Sequence, residues 1–151
     1  LSEHKYYLER DPCTSNDAYS TRSYIKDGYA AGYRFLQTHH KEWKEVAEWL
    51  FYLQDLDRGK PKLPKDNLII LDITYVLDYD DLFTSMDVPH RWDVTGFIKM
   101  LEDALATHLD IDDRYNFEVR ARKVAGRMNC IFVNVDTSLT KKEIYDYKKY
   151  L

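Results

Sequence analysis

Between residues 93 and 113, apolar side chains return every three or four positions: Val94, Phe97, Ile98, Leu101, Ala104, Leu105 and Leu109. This spacing predicts an amphipathic helix with Thr95, Lys99, Glu102 and Asp103 on its polar face. Asp93 stands at the N-cap position, where a carboxylate accepts free N–H groups of the first turn. The helix is expected to end near His108, and residues 110–113 to turn into a strand.

The rest of the chain is read against that helix. Residues 3–8 fit a short strand, and residues 11–17 carry turn chemistry. Residues 18–38, rich in Tyr and holding Gly28 and Gly32, show no clean period and read as a long loop with helical pieces. Residues 39–56 predict a second helix with two adjacent apolar stripes. The main one is Trp43, Val46, Ala47, Leu50 and Phe51; the other is Trp49, Tyr52, Leu53 and Leu56. Together they are wider than one sheet requires, so the helix is either deeply buried or meets another subunit. Residues 67–77 alternate as a strand apolar on both faces, which suits the middle of a sheet and makes Asp72 an anomaly. Residues 78–91 read as a loop with Asp78, Asp80, Asp81 and Asp87. Residues 115–124 and 128–136 read as a hairpin, and Thr140 with Glu143 as a capping box opening a last helix over 140–151. Its Lys141, Lys142, Lys148 and Lys149 are expected to face solvent. The expected architecture is one domain over 1–151, of the α+β class, with helices packed on a mixed sheet in two layers.

Composition narrows the partners. The net charge of −4 gives no overall pull toward nucleic acid or an anionic membrane, so any such contact needs a local basic patch. No apolar run reaches the roughly 20 residues that span a bilayer, and no signal-peptide pattern is seen. Cys13 and Cys130 lack metal-ligand spacing; they are read as reduced thiols, with a single disulfide as the alternative.

With the elements in place, residues 12–136 resemble the RusA-type Holliday-junction resolvases, small dimeric endonucleases common in prophages. The likeness begins with Ser15, Asn16 and Tyr19 and continues through the helix and strand that follow. The family's Asp-x-Asp-Asn-x-x-Lys signature is met here by Asp93, Thr95, Gly96 and Lys99. An Asp-Ala-Leu segment follows at Asp103, Ala104 and Leu105, then a closing hydrophobic-x-Asp-Asp turn at Ile111, Asp112 and Asp113. The resemblance implies Mg²⁺ held by Asp93 and Asp113 with help from Asp112, Lys99 directed at phosphate or the attacking water, a homodimer, and a bacterial or phage-encoded intracellular protein. It departs from the family at Thr95, where the second acid of the signature is missing, and at Gly96.

Phosphodiester hydrolysis needs charge neutralisation and a deprotonated water, both of which carboxylate-held Mg²⁺ supplies. Lys99 also reads as a surface lysine paired with Asp103 at i+4. Asp72 is a candidate substitute for the missing acid. DNA contacts are assigned to His90, Arg91, Arg114, Arg120, Arg122, Lys123 and Arg127, with Lys60, Lys62 and Lys65 from another loop. The expected activity is a Mg²⁺-dependent, structure-selective endonuclease that resolves four-way junctions in recombination and repair. The alternative is a catalytically lost scaffold that binds branched DNA or a host protein. Thr95, Gly96, the acidic loop and the negative charge favour it.

Overall fold

A computed structural model describes residues 3–14, 19–36, 38–63, 67–145, 148 and 151, with the side chains of 19–26, 29–36, 67 and 145 outside the description. The elements are β1 (Glu3–Leu8), β2 (Tyr19–Lys26), β3 (Tyr29–Leu36), α1 (Thr38–Arg58), β4 (Asn67–Asp78), α2 (Tyr79–Leu82), α3 (Val94–Leu109), β5 (Asn116–Gly126) and β6 (Cys130–Thr140). Four strands form one mixed sheet in the order β1-β6-β4-β5, with β5 parallel to β4 and β6 antiparallel to both its neighbours. This is an α+β arrangement with a mixed sheet, as the periodicities predict. Among the described residues, no helix is long and apolar enough to cross a membrane.

Alternation along β4 turns Ile69, Leu71, Ile73, Tyr75 and Leu77 toward the core, where β1 adds Tyr6 and Leu8 and β6 adds Ile131, Val133 and Val135. Two helices cover that face. α1 contributes Trp43, Ala47 and Phe51, and α3 contributes Phe97, Met100, Leu101, Ala104 and Leu105. The tie between α3 and the sheet includes Phe97 against Tyr75, with ring centroids 5.2 Å apart. The opposite face of the sheet is more open. There Tyr7 packs on Phe132, and both rings are exposed.

Four expectations are corrected. Residues 19–36 are a hairpin, not a loop; Asp27 and Gly28 make its two-residue turn with φ of 51° and 79°. Such a turn needs positive φ at both positions, which Asp-Gly supplies. Residues 78–91 contain α2 and a bridge between Phe83 and Pro89. Among the described residues of the expected last helix, Glu143–Tyr145 form a 3₁₀ turn, and β6 continues to Thr140, where that helix is expected to open. Thr140 and Glu143 do meet, side chain to side chain at 3.1 Å, and Lys141, Lys142 and Lys148 are exposed, while Lys149 lies outside the described residues.

The fourth correction concerns β5 and β6, which are not a hairpin. β4 lies between them, so residues 127–129 arch over its end. Gly126 opens the arch where an added Cβ would collide with the Val76 side chain. Asn129 closes it. Its Oδ1 accepts the Asp78 N–H at 2.7 Å, and its Nδ2 donates to Asp11 and Asp81 at 2.8 Å each. Alternation predicted both strands correctly but carries no information on which neighbour each one pairs with.

Candidate functional site

The polar face of α3 carries the predicted reactive residues. Thr95, Lys99 and Asp103 follow at four-residue steps and so share one face. Lys99 Nζ lies 3.0 Å from Asp103 and 3.1 Å from Asp113. The turn after α3 makes the second contact. Asp110 adopts φ of 53°, and the N–H of Ile111 donates to Ala106 at 3.0 Å, which reverses the chain. The hydrogen bond that Lys99 donates to Asp103 holds its ammonium above the ordinary lysine range; partial burial opposes this and Asp113 adds to it. Lys99 is therefore both the i+4 partner of Asp103 and the partner of a residue fourteen positions away.

Asp93 occupies the N-cap position, but its carboxylate makes no capping hydrogen bond, contrary to expectation. It lines a cavity of about 430 Å³ with Asp11, Asp81, Arg91, Trp92 and Asn129. Asp112 accepts the Arg114 N–H at 2.9 Å and so serves a 3₁₀ turn. Asp72 does not approach Asp93. It projects from the sheet face opposite Tyr75 and bonds Arg122 at 2.7 Å. Among the described residues, no three His, Cys, Asp or Glu side chains converge as a metal-holding group. Thr95 offers a neutral hydroxyl where the resemblance expects an acid.

The predicted DNA contacts do not form one patch. Arg120 and Arg122 do share the open sheet face, but Arg120 bonds Glu118 at 2.7 Å and Arg122 bonds Asp72 and Thr74. Lys123 bonds the Trp92 carbonyl at 2.8 Å, and Arg114 stands 3.7 Å from Asp112. His90 contacts the Asp80 carbonyl at 3.1 Å. Arg91 lines the Asp93 cavity, and Arg127 is exposed just beyond β5. Ser15, Asn16, Lys65 and the Tyr19 side chain lie outside the described residues. Three of the four acids at residues 78–87 serve local structure, Asp81 by accepting from Asn129. Asp78 caps α2, and Asp87 accepts the Tyr79 hydroxyl at 2.8 Å.

Sequence reasoning missed a second polar centre. Asp55 is 6% exposed, yet it collects four donors. They are Tyr6 Oη at 2.6 Å, His108 Nε2 at 2.7 Å, and His4 Nε2 and Arg58 Nε at 2.8 Å each. Burial alone would push the carboxyl up, but these hydrogen bonds outweigh it and bring it down to about 2. The signal was present: Asp55 continues the buried Trp43, Ala47, Phe51 series at four-residue steps. No family model matches the chain, and no curated protein matches it.

Proposed function

We propose that this chain is a RusA-like scaffold that binds branched DNA as a homodimer without cutting it. The meeting of Lys99 with Asp113 beside Thr95 carries the reading. It assembles two of the residues that the resemblance names on one exposed helix face. Two carboxylates hold Lys99, and Thr95 supplies no third acid. A second reading, the Mg²⁺-dependent junction endonuclease, is favoured by Asp93, whose carboxylate caps nothing and faces a cavity.

One assay separates them. Labelled four-way junction and matched duplex are incubated with the protein, with and without Mg²⁺ or Mn²⁺, beside Asp93→Asn. The expected result is preferential retention of the junction with no nicks at any divalent concentration. Paired metal-dependent nicks that vanish in Asp93→Asn would establish the endonuclease instead. Equal binding of junction and duplex would sink both and turn attention to a host protein at the 78–87 loop, where Met86 is 84% exposed.

The proposed dimer uses the second stripe of α1, which is left outside the core. Trp49 and Tyr52 stack at 5.3 Å and are exposed with Val46, Leu53 and Leu56. The stripe is symmetric about Phe51. An antiparallel copy would set Val46 against Leu56 and Trp49 against Leu53, so a second copy of the chain is its fitting occupant. Trp49→Glu is expected to weaken the dimer about thirtyfold or more, as a central aromatic anchor does. Light scattering across a dilution series measures this; a wild-type chain that is monomeric at every concentration would refute the interface.

A further inference from the structure

The cations on β5 are mostly tied to carboxylates. Just past the end of α1, Lys60 and Lys62 are not. A cavity of about 820 Å³ is walled by His4, Lys5, Arg58, Lys60 and Lys62, with Glu3 beside them. Among the described residues, the Lys60 and Lys62 side chains make no ion pair or hydrogen bond. Gly59, at φ of 78°, donates its N–H to the Asp55 carbonyl at 2.8 Å and ends the helix, which leaves Lys60 and Lys62 on the cavity wall.

Asp55 gives this cavity a fixed framework. Two of its four donors, His4 and Arg58, are also cavity residues. Arg58 is tied through Nε, and its guanidinium lies 4.9 Å over the Tyr6 ring. Its terminal nitrogens form no hydrogen bond among the described residues, and the side chain is 39% exposed. A guanidinium held this way presents its remaining donors in one orientation, which suits the oxygens of a phosphate. Set against Asp55, the Arg58, Lys60 and Lys62 side chains leave a positive excess in a chain whose net charge is −4.

We propose that this cavity binds a phosphate group, with Lys60 and Lys62 as charge contacts and Arg58, positioned by Asp55, as the directional donor. The phosphate belongs either to a free phosphate compound or to the backbone of a nucleic-acid strand. The cavity volume lies within the usual range of small-ligand sites, so size admits both. This site does not depend on junction binding, and either can fail with the other intact.

The test uses a labelled single-stranded oligonucleotide and inorganic pyrophosphate against the wild-type chain, Lys60→Gln/Lys62→Gln and Arg58→Lys. For a strand, the double variant is expected to lose about tenfold in affinity, and its salt dependence to become shallower by about 1.4 in log–log slope, from about 0.7 per contact. Pyrophosphate should displace the strand from the wild-type chain. Arg58→Lys should weaken binding with the slope unchanged, because the charge stays while the fork is lost. Pyrophosphate binding alone, lost in the double variant, would place a free phosphate compound at the site. Equal binding of a probe by wild type and double variant, or no binding of either probe to the wild type, would overturn the proposal. An Arg58→Lys chain that binds like wild type would overturn the directional role of Arg58 and Asp55.

Discussion

Asp55→Ala is expected to lower the unfolding free energy by about 3–5 kcal/mol, the range for removing one partner of a buried charge network. The size follows from what is left behind. Tyr6 and His108 are 2% and 6% exposed, and each aims a polar atom at the carboxylate. Without it those donors stay away from water and unpaired, which costs more than the bonds themselves contribute. Urea unfolding at neutral pH measures the loss; a change below about 1 kcal/mol would mean the cluster rearranges or hydrates at little cost. The acid limb gives a second reading. The folded carboxyl titrates near 2, below its ordinary 3.8, so the unfolded chain binds the proton more readily. The contribution of Asp55 is therefore complete above the unfolded value and is lost as the pH falls through the folded one. Asp55→Asn should flatten the stability curve between pH 3.8 and about 2.

Thr95→Asp is expected to bring divalent-ion binding to the face of α3. Thr95 is exposed, one turn before Lys99, and Lys99 already reaches Asp113. Two unit charges 4 Å apart in water interact by about 1 kcal/mol, so a carboxylate beside a divalent cation gains about twice that, or on the order of thirtyfold in affinity. An acid in the first turn of a helix also complements its dipole, by roughly 0.3–1 kcal/mol. The substitution should then raise the melting temperature slightly without metal and clearly more with Mn²⁺ or Mg²⁺. Calorimetric titration of both chains with Mn²⁺ decides it. Metal affinity unchanged from wild type would remove Asp93 and Asp113 as metal ligands, and with them the second reading of the site.

Legibility differed by the kind of signal. The helix period around Phe97, Leu101 and Leu105 and the alternation of Ile69 to Leu77 both reported true elements, because each depends only on which side faces the core. Pairing partners were not legible. Nothing local distinguishes a chain that doubles back from one that arches over a neighbour, and only Gly126 against Val76 explains the tight crossing. The hairpin at 19–36 was legible in principle. Asp27-Gly28 is a strong two-residue turn signal, but the surrounding Tyr and Gly residues obscured it. For the site, helix spacing put Thr95, Lys99 and Asp103 on one face, while the return of Asp113 depended on a left-handed Asp110 that composition does not announce. Strand alternation alone puts Arg120 and Arg122 on one face of β5. Their neutralisation was missed because Glu118 lies two positions back on the same strand, and Asp72 sits diagonally across on β4, opposite Arg120 rather than Arg122. Asp55 was overlooked because the stripes of α1 were traced through apolar residues alone, although Asp55 continues the buried series at a four-residue step.

The placement of β6 between β1 and β4 has a consequence for synthesis. Among the described residues, β1 finds its one strand partner in β6, with Glu3 opposite Asp136 and Leu8 opposite Ile131. The strand made first must therefore wait, unpaired, until the last one leaves the ribosome. At about 5–20 residues per second, that interval is on the order of ten seconds. Throughout it Tyr6 and Leu8 have no sheet to enter, so the nascent chain offers a sticky segment to chaperones or to neighbouring copies. The completed sheet closes in one late step, as β6 slots between strands that have no hydrogen-bonded contact with each other.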